Sequence, residues 1–565
     1  MSGNKRIVVV GGVAAGPKAA SKARRLDQQA EITVIQREPE LSMASCGYPY
    51  YVGGLFNDRN ALLSAGTGPV RDPAYFWGVK RIMARTETEA VAIDREGKTV
   101  LCRDMRTGAT EQIAYDRLIL ATGAVPSVPP IPGVDLEGIT TLHNMTDTDY
   151  LRRIHDERKT AKAVVIGGGL IGVEACEALR ESGIQVTLVE LQPQILSFLD
   201  WEMAKLIKNH LRHKSVEVIT GNGIAAFLGD DGRVTSVRLG DGTELPCELA
   251  VLAIGVRPNS ALARESGLAV GATGGVIVNE YMQTSDESIY AVGDCIETKH
   301  LTTGEPTHAP FGDLANLQGR VAGENAVLGN TVTFPGTIAT GICKVFDYAA
   351  GATGLNEGSA RDAGLDAVAV IGASLDKPGY MGGQLLISKL VVEKKSGRIL
   401  GAQCVGPGDV SRQIAQWAMA IRGDLAVEDL VNADLPYAPP FSLAIDHGIM
   451  MAHIMQNKRK GRLKGISARE VKETVDGGAP IFVIDCRDPE EYREMRLGLG
   501  EKLIPLPTLR DRLDELPEDK NAEIICYCRV SLRAYEALLI LEANGWKNVW
   551  VMEGGVVAWP YERER

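Results

Sequence analysis

Two stretches of the chain repeat one pattern of apolar and polar positions. Each has a short apolar run, a glycine-rich turn, a helical segment and a second apolar run; the first copy begins with KRIVVV at 5–10, and the second spans 161–190. Continuous apolar runs are typical of strands buried on both faces of a parallel sheet. A glycine-rich turn between such a strand and a helix is the setting of a dinucleotide-binding loop. The pattern therefore predicts two Rossmann-like units and two bound dinucleotides.

The pattern changes twice in the second half of the chain. From about residue 330 it indicates mixed strands and helices without a further nucleotide loop. The basic segment 457–465 predicts a solvated linker. From about residue 466, three apolar runs alternate with helical stretches: IFVIDC, EIICYC and NVWVME. We therefore expect an α/β protein with two Rossmann-like domains, an α+β domain and a C-terminal α/β domain.

Length and charge narrow the class of protein. A chain of 565 residues has room for three or four domains, because single cores rarely exceed about 250–300 residues. The net charge of −11 argues against general nucleic-acid binding, which favours basic surfaces. No apolar run approaches the ~20 residues that span a bilayer, and the N-terminus enters a strand without a signal-like segment. These features favour a cytoplasmic protein that binds neither nucleic acid nor membranes.

The second glycine turn has the more regular fingerprint. Gly167, Gly169 and Gly172 fit G-x-G-x-x-G, which provides a tight turn, close approach of the pyrophosphate and tight helix–strand packing. Glu190 ends the following strand. A carboxylate at that point accepts hydrogen bonds from ribose hydroxyls and repels a 2′-phosphate, so this loop predicts NADH rather than NADPH.

The first glycine turn departs from the fingerprint. Gly11 and Gly16 hold its first and last positions, but Val13 occupies the middle one. Gln36, followed by Arg37, stands where the ribose-binding acid is expected. Two later segments support the loop, YDRLILATG at 115–123 and IYAVGD at 289–294.

Ten cysteines occur, without a C-x-x-C pair or a zinc-like spacing, so we expect no metal site. Most lie in apolar segments, where cysteine behaves as a small buried hydrophobe. Cys46, Cys526 and Cys528 are the candidates for chemistry. Because Cys526 lies inside an apolar run, we favour a core role for it.

The glycine loops and the two later segments resemble the two-dinucleotide-fold flavoprotein disulfide reductases, over roughly residues 5–450. The resemblance implies FAD in the first fold and NADH in the second, with a homodimer built by the third domain. It places Asp294 on the flavin ribityl chain and Thr122 and Gly123 near the flavin. The implied domains are FAD-binding 1–120 and 250–328, NADH-binding 121–249, dimerisation 329–455, a linker 456–465 and a C-terminal domain 466–565.

The segment SMASCGYPYY at 42–51 resembles S-F-x-N-C-G-x-P-Y of the single-cysteine branch of this family. That branch contains coenzyme A disulfide reductases, persulfide reductases, NADH oxidases and NADH peroxidases. Tyr51 stands where the two-cysteine branch has its second thiol, and none of the eight histidines matches that branch's C-terminal motif. The resemblance implies that Cys46 is the redox thiol, with Ser42 and Ser45 beside the substrate. We expect a flavin edge and a helix N-terminus to lower the pKa of Cys46.

Residues for coenzyme A are suggested on the first helix. Lys18, Lys22 and Arg25 share one helical face by their spacing. Spacing alone fits a solvated face equally well, but coenzyme A reductases of this branch hold their substrate with this helix. The resemblance therefore implies a site for the phosphates of coenzyme A.

Two tyrosines are implied as further substrate-side residues. LPYAPPFS at 435–442 resembles the family's Y-A-P-P-Y-S, with Phe441 in place of the second tyrosine. Tyr437 is thereby implied to reach the other subunit's active site as a proton donor. Tyr380, in KPGYMGG, matches another substrate-side tyrosine more loosely.

The C-terminal region resembles a rhodanese domain. VIDCRDPEEY at 483–492 and EGGVVAW at 553–559 match its flanking motifs, and CRVSLR at 528–533 has the length of the active loop C-x-x-G-x-R. Backbone N–H groups of such a loop stabilise a persulfide on the thiol. The resemblance implies that Cys528 carries sulfane sulfur and that Arg533 orients the loop. Ser531 replaces the usual glycine, and RLGLGEKLIP at 496–505 replaces the usual G-H-I-P-G-A.

Together these features predict a homodimeric FAD enzyme in which NADH reduces coenzyme A persulfide, polysulfide or coenzyme A disulfide through Cys46. Cys528 would supply sulfane sulfur. Two alternatives stay open. One is an NADH oxidase or peroxidase that cycles Cys46 through a sulfenic acid. The other is a redox-responsive sulfur carrier with little turnover.

Overall fold

The computed structural model describes residues 4–64, 66 and 68–564. They form two compact units, one of Met1–Pro193 with Val216–Thr337 and one of Gln194–Ser215 with Ile338–Arg565. Each unit contains two five-stranded sheets. The predicted class, α/β with two Rossmann-like folds and two further domains, is confirmed. The individual domain boundaries stay predictions.

The first sheet carries the first glycine turn. Its five strands are parallel and lie in the order Ile289–Ala291, Arg117–Leu120, Arg6–Val10, Glu31–Ile35, Met83–Arg85. Three strands come from the chain start and two from distant segments, as the flavin motifs at 115–123 and 289–294 predicted. An antiparallel sheet of Thr88–Asp94, Thr99–Asp104 and Thr110–Ala114 accompanies it.

Two helices beside this sheet set the position of the redox segment. The alanine-rich helix Ala15–Leu26 packs against the helix Gly312–Leu328. A Cβ added at Gly319 would lie 2.4 Å from the Ala15 carbonyl oxygen, and one at Gly323 would lie 2.4 Å from that of Ala19. The glycines therefore let the two helix backbones touch. The remaining helices of the first unit are Tyr48–Val52, Pro73–Lys80, Met145–Glu157, Leu170–Glu181 and Ala261–Glu265.

The second sheet carries the second glycine turn. Its strands are parallel and follow the order Val216–Thr220, Gln185–Glu190, Lys162–Ile166, Leu249–Leu252, Ile139–Thr140. Smaller sheets pair Ile224–Asp230, Arg233–Leu239 and Glu244–Pro246; Val256–Pro258 and Ala124–Pro126; and Val276–Ile277, Ile296–Lys299 and Pro306–Thr307.

The second unit begins with an antiparallel sheet. Its order is Gly341–Val345, Tyr348–Gly354, Ile399–Gly406, Leu385–Glu393, Ala367–Leu375. Its helices are Trp201–His213, Glu357–Asp362, Val410–Arg422, Val427–Leu430 and His447–Arg459. The last helix runs into the segment expected to be a solvated linker, where Lys458 pairs with Glu553 and Leu463 is buried. That segment is packed, because Lys458, Arg459 and Lys464 form ion pairs with carboxylates. Its leucine, Leu463, is buried in the apolar core of the C-terminal domain.

The C-terminal sheet is parallel, with the order Gly465–Ile466, Asn548–Met552, Glu523–Tyr527, Ile481–Asp485, Lys502–Leu503. Helices Ala468–Asp476, Pro489–Glu494 and Leu532–Ala543 cover it, with 3₁₀ turns at Leu506–Asp511, Leu513–Glu515 and Val556–Ala558. In the described part of the chain, no helix is both long and apolar enough to cross a membrane.

Candidate active sites: two nucleotide loops and two thiols

The second glycine loop is shaped for close contacts. Gly167 has φ +106°, and a Cβ at Gly172 would lie 1.9 Å from the Gly167 carbonyl oxygen. A Cβ at Gly169 would meet no protein atom within 4 Å, so this glycine borders open space. Glu190 fastens the loop, because its carboxylate accepts the Gly168 N–H at 2.6 Å and the Gln192 N–H at 2.7 Å. These contacts give a backbone cradle with an oriented acid, which fits a dinucleotide pyrophosphate and ribose.

The first glycine loop has the same shape with a neutral side chain in the fastening position. Gly11 has φ +114°, and a Cβ at Gly16 would lie 1.9 Å from the Gly11 carbonyl oxygen. Gln36 accepts the Gly12 N–H at 2.8 Å and donates to the Glu38 carboxylate at 2.7 Å. Gln36, at the expected ribose-binding position, therefore stabilises the glycine loop through its side chain. It also orients Glu38, an acid that the fingerprint did not single out.

Arg37, a predicted cofactor residue, lies mostly outside this cradle. Its guanidinium pairs with Glu38 at 3.0 Å, and its side chain is more than half exposed. Gln36 and Arg37 thus hold the Glu38 carboxylate from two sides. The sequence signal for Glu38 was only its place two residues beyond the expected acid.

The predicted flavin residues meet around the same loop. Thr122 donates its hydroxyl to the Asn259 carbonyl oxygen at 2.6 Å, which joins two segments of the fold, and Gly123 borders open space. Asp294 lies in the 3₁₀ turn Gly293–Cys295, where burial raises the pKa of its carboxyl. A cradle that Cβ atoms would fill, beside an inward carboxyl, fits the pyrophosphate and polyhydroxyl chain of FAD.

Cys46 lies where the redox segment meets a helix start. It is exposed and belongs to the 3₁₀ turn Ser45–Gly47. A Cβ placed on Gly312, the first residue of the helix Gly312–Leu328, would lie 3.5 Å from the Cys46 sulfur. The start of that helix therefore borders the thiol, and a helix N-terminus favours a thiolate.

The charges around Cys46 oppose the expected lowering of its pKa. Desolvation by the surrounding protein raises the pKa of the thiol, the carboxylates of Glu174 and Asp294 raise it further, and a hydrogen bond from Ser45 lowers it. Tyr50 donates to Glu174 at 2.8 Å and so ties the redox segment to the helix Leu170–Glu181. The polypeptide by itself therefore favours the protonated thiol, because desolvation and then the nearby carboxylates oppose the thiolate.

Ser42 holds the redox segment by its backbone. Its φ is +54°, and its N–H donates to the Gly12 carbonyl oxygen at 2.7 Å. This bond fixes the redox segment against the first glycine loop. Ser45 is the serine that reaches the Cys46 sulfur.

The predicted basic stripe is divided in the structure. Lys22 forms an ion pair with Glu324 at 2.8 Å and so fastens two helices together. Lys18 and Arg25 instead lie near Lys80 and Arg71: burial lowers the pKa of Lys80, and the charges of Arg25, Arg71 and Lys18 lower it further. The result is a cluster of four cations, which we call the basic cluster. Helical spacing could not find its members Arg71 and Lys80, because they lie more than 40 residues along the chain.

The predicted substrate-side tyrosines belong to the second unit. Tyr437 and Tyr380 are exposed, with 54% and 79% of their surface accessible, and Phe441 is exposed to 71%. Arg412 donates to the Phe441 carbonyl oxygen at 2.6 Å and pairs with Asp446 at 2.8 Å. The Tyr437 loop is thus anchored at its end while its aromatic rings face outward, which suits contact with another chain.

Cys528 follows the strand Glu523–Tyr527 and is buried. Its carbonyl oxygen accepts the Val556 N–H at 2.9 Å, and a Cβ at Gly555 would lie 2.4 Å from that oxygen. Ser531 has φ +79°, the conformation for which glycine is usual, and its hydroxyl donates to the Met552 carbonyl oxygen at 2.8 Å. The two rhodanese-like motifs therefore hold one loop between them.

Arg533 bridges this loop to the neighbouring helix. It pairs with Glu491 at 2.7 Å and with Asp488 at 3.3 Å. The hydrogen bond with Glu491 is the largest cause of a raised pKa for Arg533, and the charge of Cys528 contributes to it. Arg533 thus stays cationic within electrostatic reach of the thiol.

Two more cysteines lie beside Cys528. Cys526 and Cys486 are buried in the same apolar cluster as Cys528. Cys526 is a core residue, as favoured above, whereas Cys486 was set aside with the other apolar-segment cysteines. Only the register of the sheet, which the sequence did not supply, brings Cys486 beside the Cys528 loop.

Comparisons with known proteins match this architecture. The family model described as pyridine nucleotide-disulphide oxidoreductase matches residues 5–311, its dimerisation domain matches 340–448, and the rhodanese-like domain matches 467–561. These matches confirm the family resemblance drawn from the sequence.

Three similar proteins illustrate the range of activities. A solved structure of an NAD-dependent persulfide reductase from A. fulgidus is 43% identical, with a TM-score of 0.93, and the alignment covers 98% of this chain and all of that one. An NAD(P)H coenzyme A polysulfide/persulfide reductase from Pyrococcus horikoshii is 34% identical over 80% of this chain and 98% of its own. An NADH oxidase from Methanocaldococcus jannaschii is 33% identical over 78% of this chain and 96% of its own.

Proposed function

Because this chain belongs to the pyridine nucleotide-disulphide oxidoreductase family, whose members use FAD and NAD(P)H, we propose that it reduces the sulfane sulfur of coenzyme A persulfide, with polysulfide and coenzyme A disulfide as further acceptors. The observation that carries this proposal is the pairing of two single thiols in one chain. Cys46 lies at a helix start beside the flavin loop, and Cys528 lies in a rhodanese-like loop. A reductase thiol and a sulfur-carrying thiol together match sulfane sulfur as substrate.

Cys46 performs the bond exchange. Its thiolate attacks a sulfur of the substrate S–S bond, so that a new S–S bond forms on Cys46 and a thiol or hydrosulfide leaves. The helix start at Gly312 stabilises the attacking thiolate. FAD, when bound, would supply two electrons from NADH to cleave this new S–S bond, which would return Cys46 to its thiolate and release the attached sulfur as hydrosulfide or a thiol. Glu190 holds the loop that receives the nicotinamide nucleotide and, as a carboxylate, favours NADH over NADPH.

The basic cluster holds the substrate's phosphates. Four cations form it. Lys18 and Arg25 lie on the helix Ala15–Leu26, Lys80 ends the helix Pro73–Lys80, and Arg71 lies just before that second helix. Coenzyme A carries a pyrophosphate and a 3′-phosphate, whose charges complement such a group. Lys22 supports this site from the side, through its pair with Glu324.

A second copy of the chain completes the site. The matched dimerisation domain favours a homodimer, and the exposed Tyr437 is placed on an anchored loop of that domain. We assign Tyr437 as the proton donor to the leaving sulfur in the partner's site, with Tyr380 as a further substrate contact. Ten free cysteines suit a reducing compartment, which supports the cytoplasm. The acidic net charge supports partners other than nucleic acid.

Cys528 supplies sulfur to this reaction. Buried in its loop, with Arg533 nearby, it holds a persulfide and transfers the outer sulfur to the thiol of coenzyme A. Coenzyme A persulfide then reaches Cys46 as the reductase substrate. The rhodanese-like loop thereby widens the range of sulfur sources.

The acceptor profile tests the proposal. NADH consumption is measured with coenzyme A persulfide, polysulfide, coenzyme A disulfide, oxygen and peroxide, and the best acceptor is repeated with NADPH. We expect the sulfur acceptors to be faster than oxygen and peroxide, and NADH to be the better reductant. Faster turnover with oxygen or peroxide would assign the NADH oxidase or peroxidase alternative, which the Methanocaldococcus jannaschii relative favours. Slow turnover with every acceptor would assign a sulfur carrier.

A further inference from the structure

The rhodanese-like domain places three thiols on one face of its sheet. Residues Ile484, Cys486, Cys526 and Cys528 belong to one apolar cluster, while Val483, Ile525 and Tyr527 belong to the cluster on the opposite face. Side chains alternate between the faces of a strand, so the three sulfurs point the same way. All three cysteines are free and buried.

The strand register brings Cys486 opposite Cys528. Ile481–Asp485 runs parallel to Glu523–Tyr527, with Asp485 paired to Tyr527. The Cys486 N–H donates to the Tyr527 carbonyl oxygen at 2.9 Å, which continues the ladder by one residue. Neighbouring strands lie about 4.8 Å apart, and disulfides span Cα separations of about 4.4–6.8 Å. Cys486 and Cys528 are therefore within disulfide reach.

Contacts of the Cys486 sulfur point in the same direction. Its thiol interacts electrostatically with the thiols of Cys526 and Cys528. All three sulfurs are buried together in this apolar cluster. A persulfide on Cys528 therefore has an intramolecular thiol as its nearest attacking group.

The geometry points to Cys486 as a resolving thiol for the Cys528 persulfide. The Cys486 sulfur attacks the inner sulfur of Cys528–S–SH, forms a Cys486–Cys528 disulfide and expels hydrosulfide, which takes the Cys486 proton and leaves as hydrogen sulfide. The outer sulfur is reduced as the two cysteine sulfurs are oxidised. Two molecules of a small thiol then reduce the disulfide and leave as their own disulfide. The return of that product through Cys46 and NADH rests on the proposed function; the preceding steps do not.

This chemistry gives the domain a second activity. Transfer of the outer sulfur to coenzyme A conserves sulfane sulfur, whereas resolution by Cys486 releases sulfide directly. The two paths compete for one persulfide. Abundant coenzyme A thiol favours transfer, and its scarcity favours resolution.

The test uses the full chain with Cys46→Ser, so that the reductase thiol takes no part. Reduced protein, freed of small thiols, receives thiosulfate, which converts Cys528 to the persulfide and releases sulfite. We expect about one sulfite and about one sulfide per chain. Trypsin should then yield one disulfide-linked pair of peptides, 473–487 with 521–529, because cleavage follows Lys472, Arg487, Lys520 and Arg529.

Two further variants assign the thiol. With Cys486→Ser added, sulfite release should persist, sulfide should fall at least tenfold, and the 521–529 peptide should keep one extra sulfur. With Cys526→Ser added instead, sulfide release and the linked peptides should remain. Because the hydrogen bond with Cys526, burial and the charges of Cys526, Cys528 and Asp485 raise the pKa of Cys486, sulfide release should also quicken as pH rises.

The disulfide-linked peptides are measured on the chain that keeps Cys486. The assignment of Cys486 as the resolving thiol therefore stands even if the Cys486→Ser variant fails to fold. A stable persulfide in that chain, or a disulfide confined to 521–529, would overturn it. Neither result bears on NADH-dependent reduction, because Cys46 and NADH are absent from the experiment.

Discussion

Cys46 and Cys528 both lie near the start of a helix, but they differ in exposure and in the charged side chains beside them. Cys46 is exposed beside the start of Gly312–Leu328, with the carboxylates of Glu174 and Asp294 nearby. Cys528 is buried shortly before Leu532–Ala543, with the cation of Arg533 nearby. The Cys46 thiol is exposed and lies near two carboxylates. The Cys528 thiol is buried and lies near the guanidinium cation of Arg533.

The difference fits two tasks. A thiol that exchanges bonds with an incoming substrate has to be accessible, and neighbouring acids keep it protonated until the site fills. A thiol that carries sulfane sulfur benefits from enclosure and from a cation, because both protect and stabilise a persulfide anion. Among the groups that shift the pKa of Cys46, the carboxylates oppose the thiolate, so the activation of Cys46 depends on the helix start and on what binds beside it.

Loss of the exposed thiol should have the largest effect. Cys46→Ser removes the sulfur nucleophile, and we expect NADH-dependent reduction of coenzyme A persulfide to fall by on the order of 10³-fold or more. Thiosulfate:cyanide sulfurtransferase activity should stay unchanged, since it uses Cys528. Stopped-flow NADH oxidation measures the first activity. Full persulfide reduction by the variant would remove Cys46 from the mechanism.

Loss of the enclosed thiol should reverse that pattern. Cys528→Ser should lower sulfurtransferase activity by about 10²–10³-fold, because the sulfur carrier is gone, and it should slow NADH oxidation with polysulfide. Reduction of coenzyme A disulfide needs no carrier and should be unaffected. Cys526→Ser is the matched control on the same strand. Unchanged polysulfide turnover would refute supply of sulfur through Cys528.

The sequence predicted the second glycine loop more completely than the first. Fingerprints that span a few neighbouring residues, such as Gly167–Gly172 with Glu190, reported local geometry that the strand–turn–helix unit forms by itself. Gln36 was located, but its role in fastening Gly12 and orienting Glu38 was missed, because the motif encodes position rather than contacts.

Residues that come together only in the tertiary structure could not be identified from the sequence motifs. Arg71 and Lys80 join the basic cluster from a separate segment, and Cys486 reaches Cys528 through strand register. The pKa of Cys46 was expected to be lowered, yet the polypeptide raises it, through desolvation first and then through Glu174 and Asp294, which come from distant elements. A sequence motif describes the residues of one segment, whereas the pKa of a side chain depends on charges from every segment that packs near it.

Tyr437 tests whether the exposed thiol is served by a partner subunit. Tyr437→Phe keeps the ring and removes the hydroxyl, so we expect kcat for coenzyme A persulfide to fall by about 10²-fold, within the usual contribution of a general acid, while KM changes little. Phe441→Tyr, on the same loop, is the control. A mixed dimer of one Cys46→Ser chain and one Tyr437→Phe chain should stay active, because its intact Cys46 faces the intact Tyr437 of the other subunit. A mixed dimer of a wild-type chain and a chain that carries both substitutions should lose that activity, and this pair of results would establish the partner's role. Equal kcat for Tyr437→Phe and wild type would exclude it.

Glu174 tests the effect of the acids on Cys46. Its carboxylate raises the pKa of the thiol, so Glu174→Gln should lower that pKa by removing a nearby negative charge. Below the pKa, the thiolate fraction and hence the alkylation rate of Cys46 should then rise. The pH dependence of iodoacetamide labelling of Cys46 measures the shift. Glu181→Gln, at the exposed end of the same helix, should leave the profile in place; identical profiles for both variants would show that Glu174 has no such effect.

Ser531 tests how the enclosed loop tolerates a non-glycine residue at φ +79°. The left-handed conformation costs an L-residue roughly 1–2 kcal/mol, and the hydrogen bond to the Met552 carbonyl oxygen offsets it by roughly 1 kcal/mol. Ser531→Gly removes both, so its free energy of unfolding should lie within about 1 kcal/mol of wild type. Ser531→Ala keeps the strain and loses the bond, and it should be less stable than the glycine variant by roughly 1–2 kcal/mol. The urea concentration at which each full chain loses sulfurtransferase activity ranks them; equal midpoints for glycine and alanine would show that the backbone at 531 stores no strain.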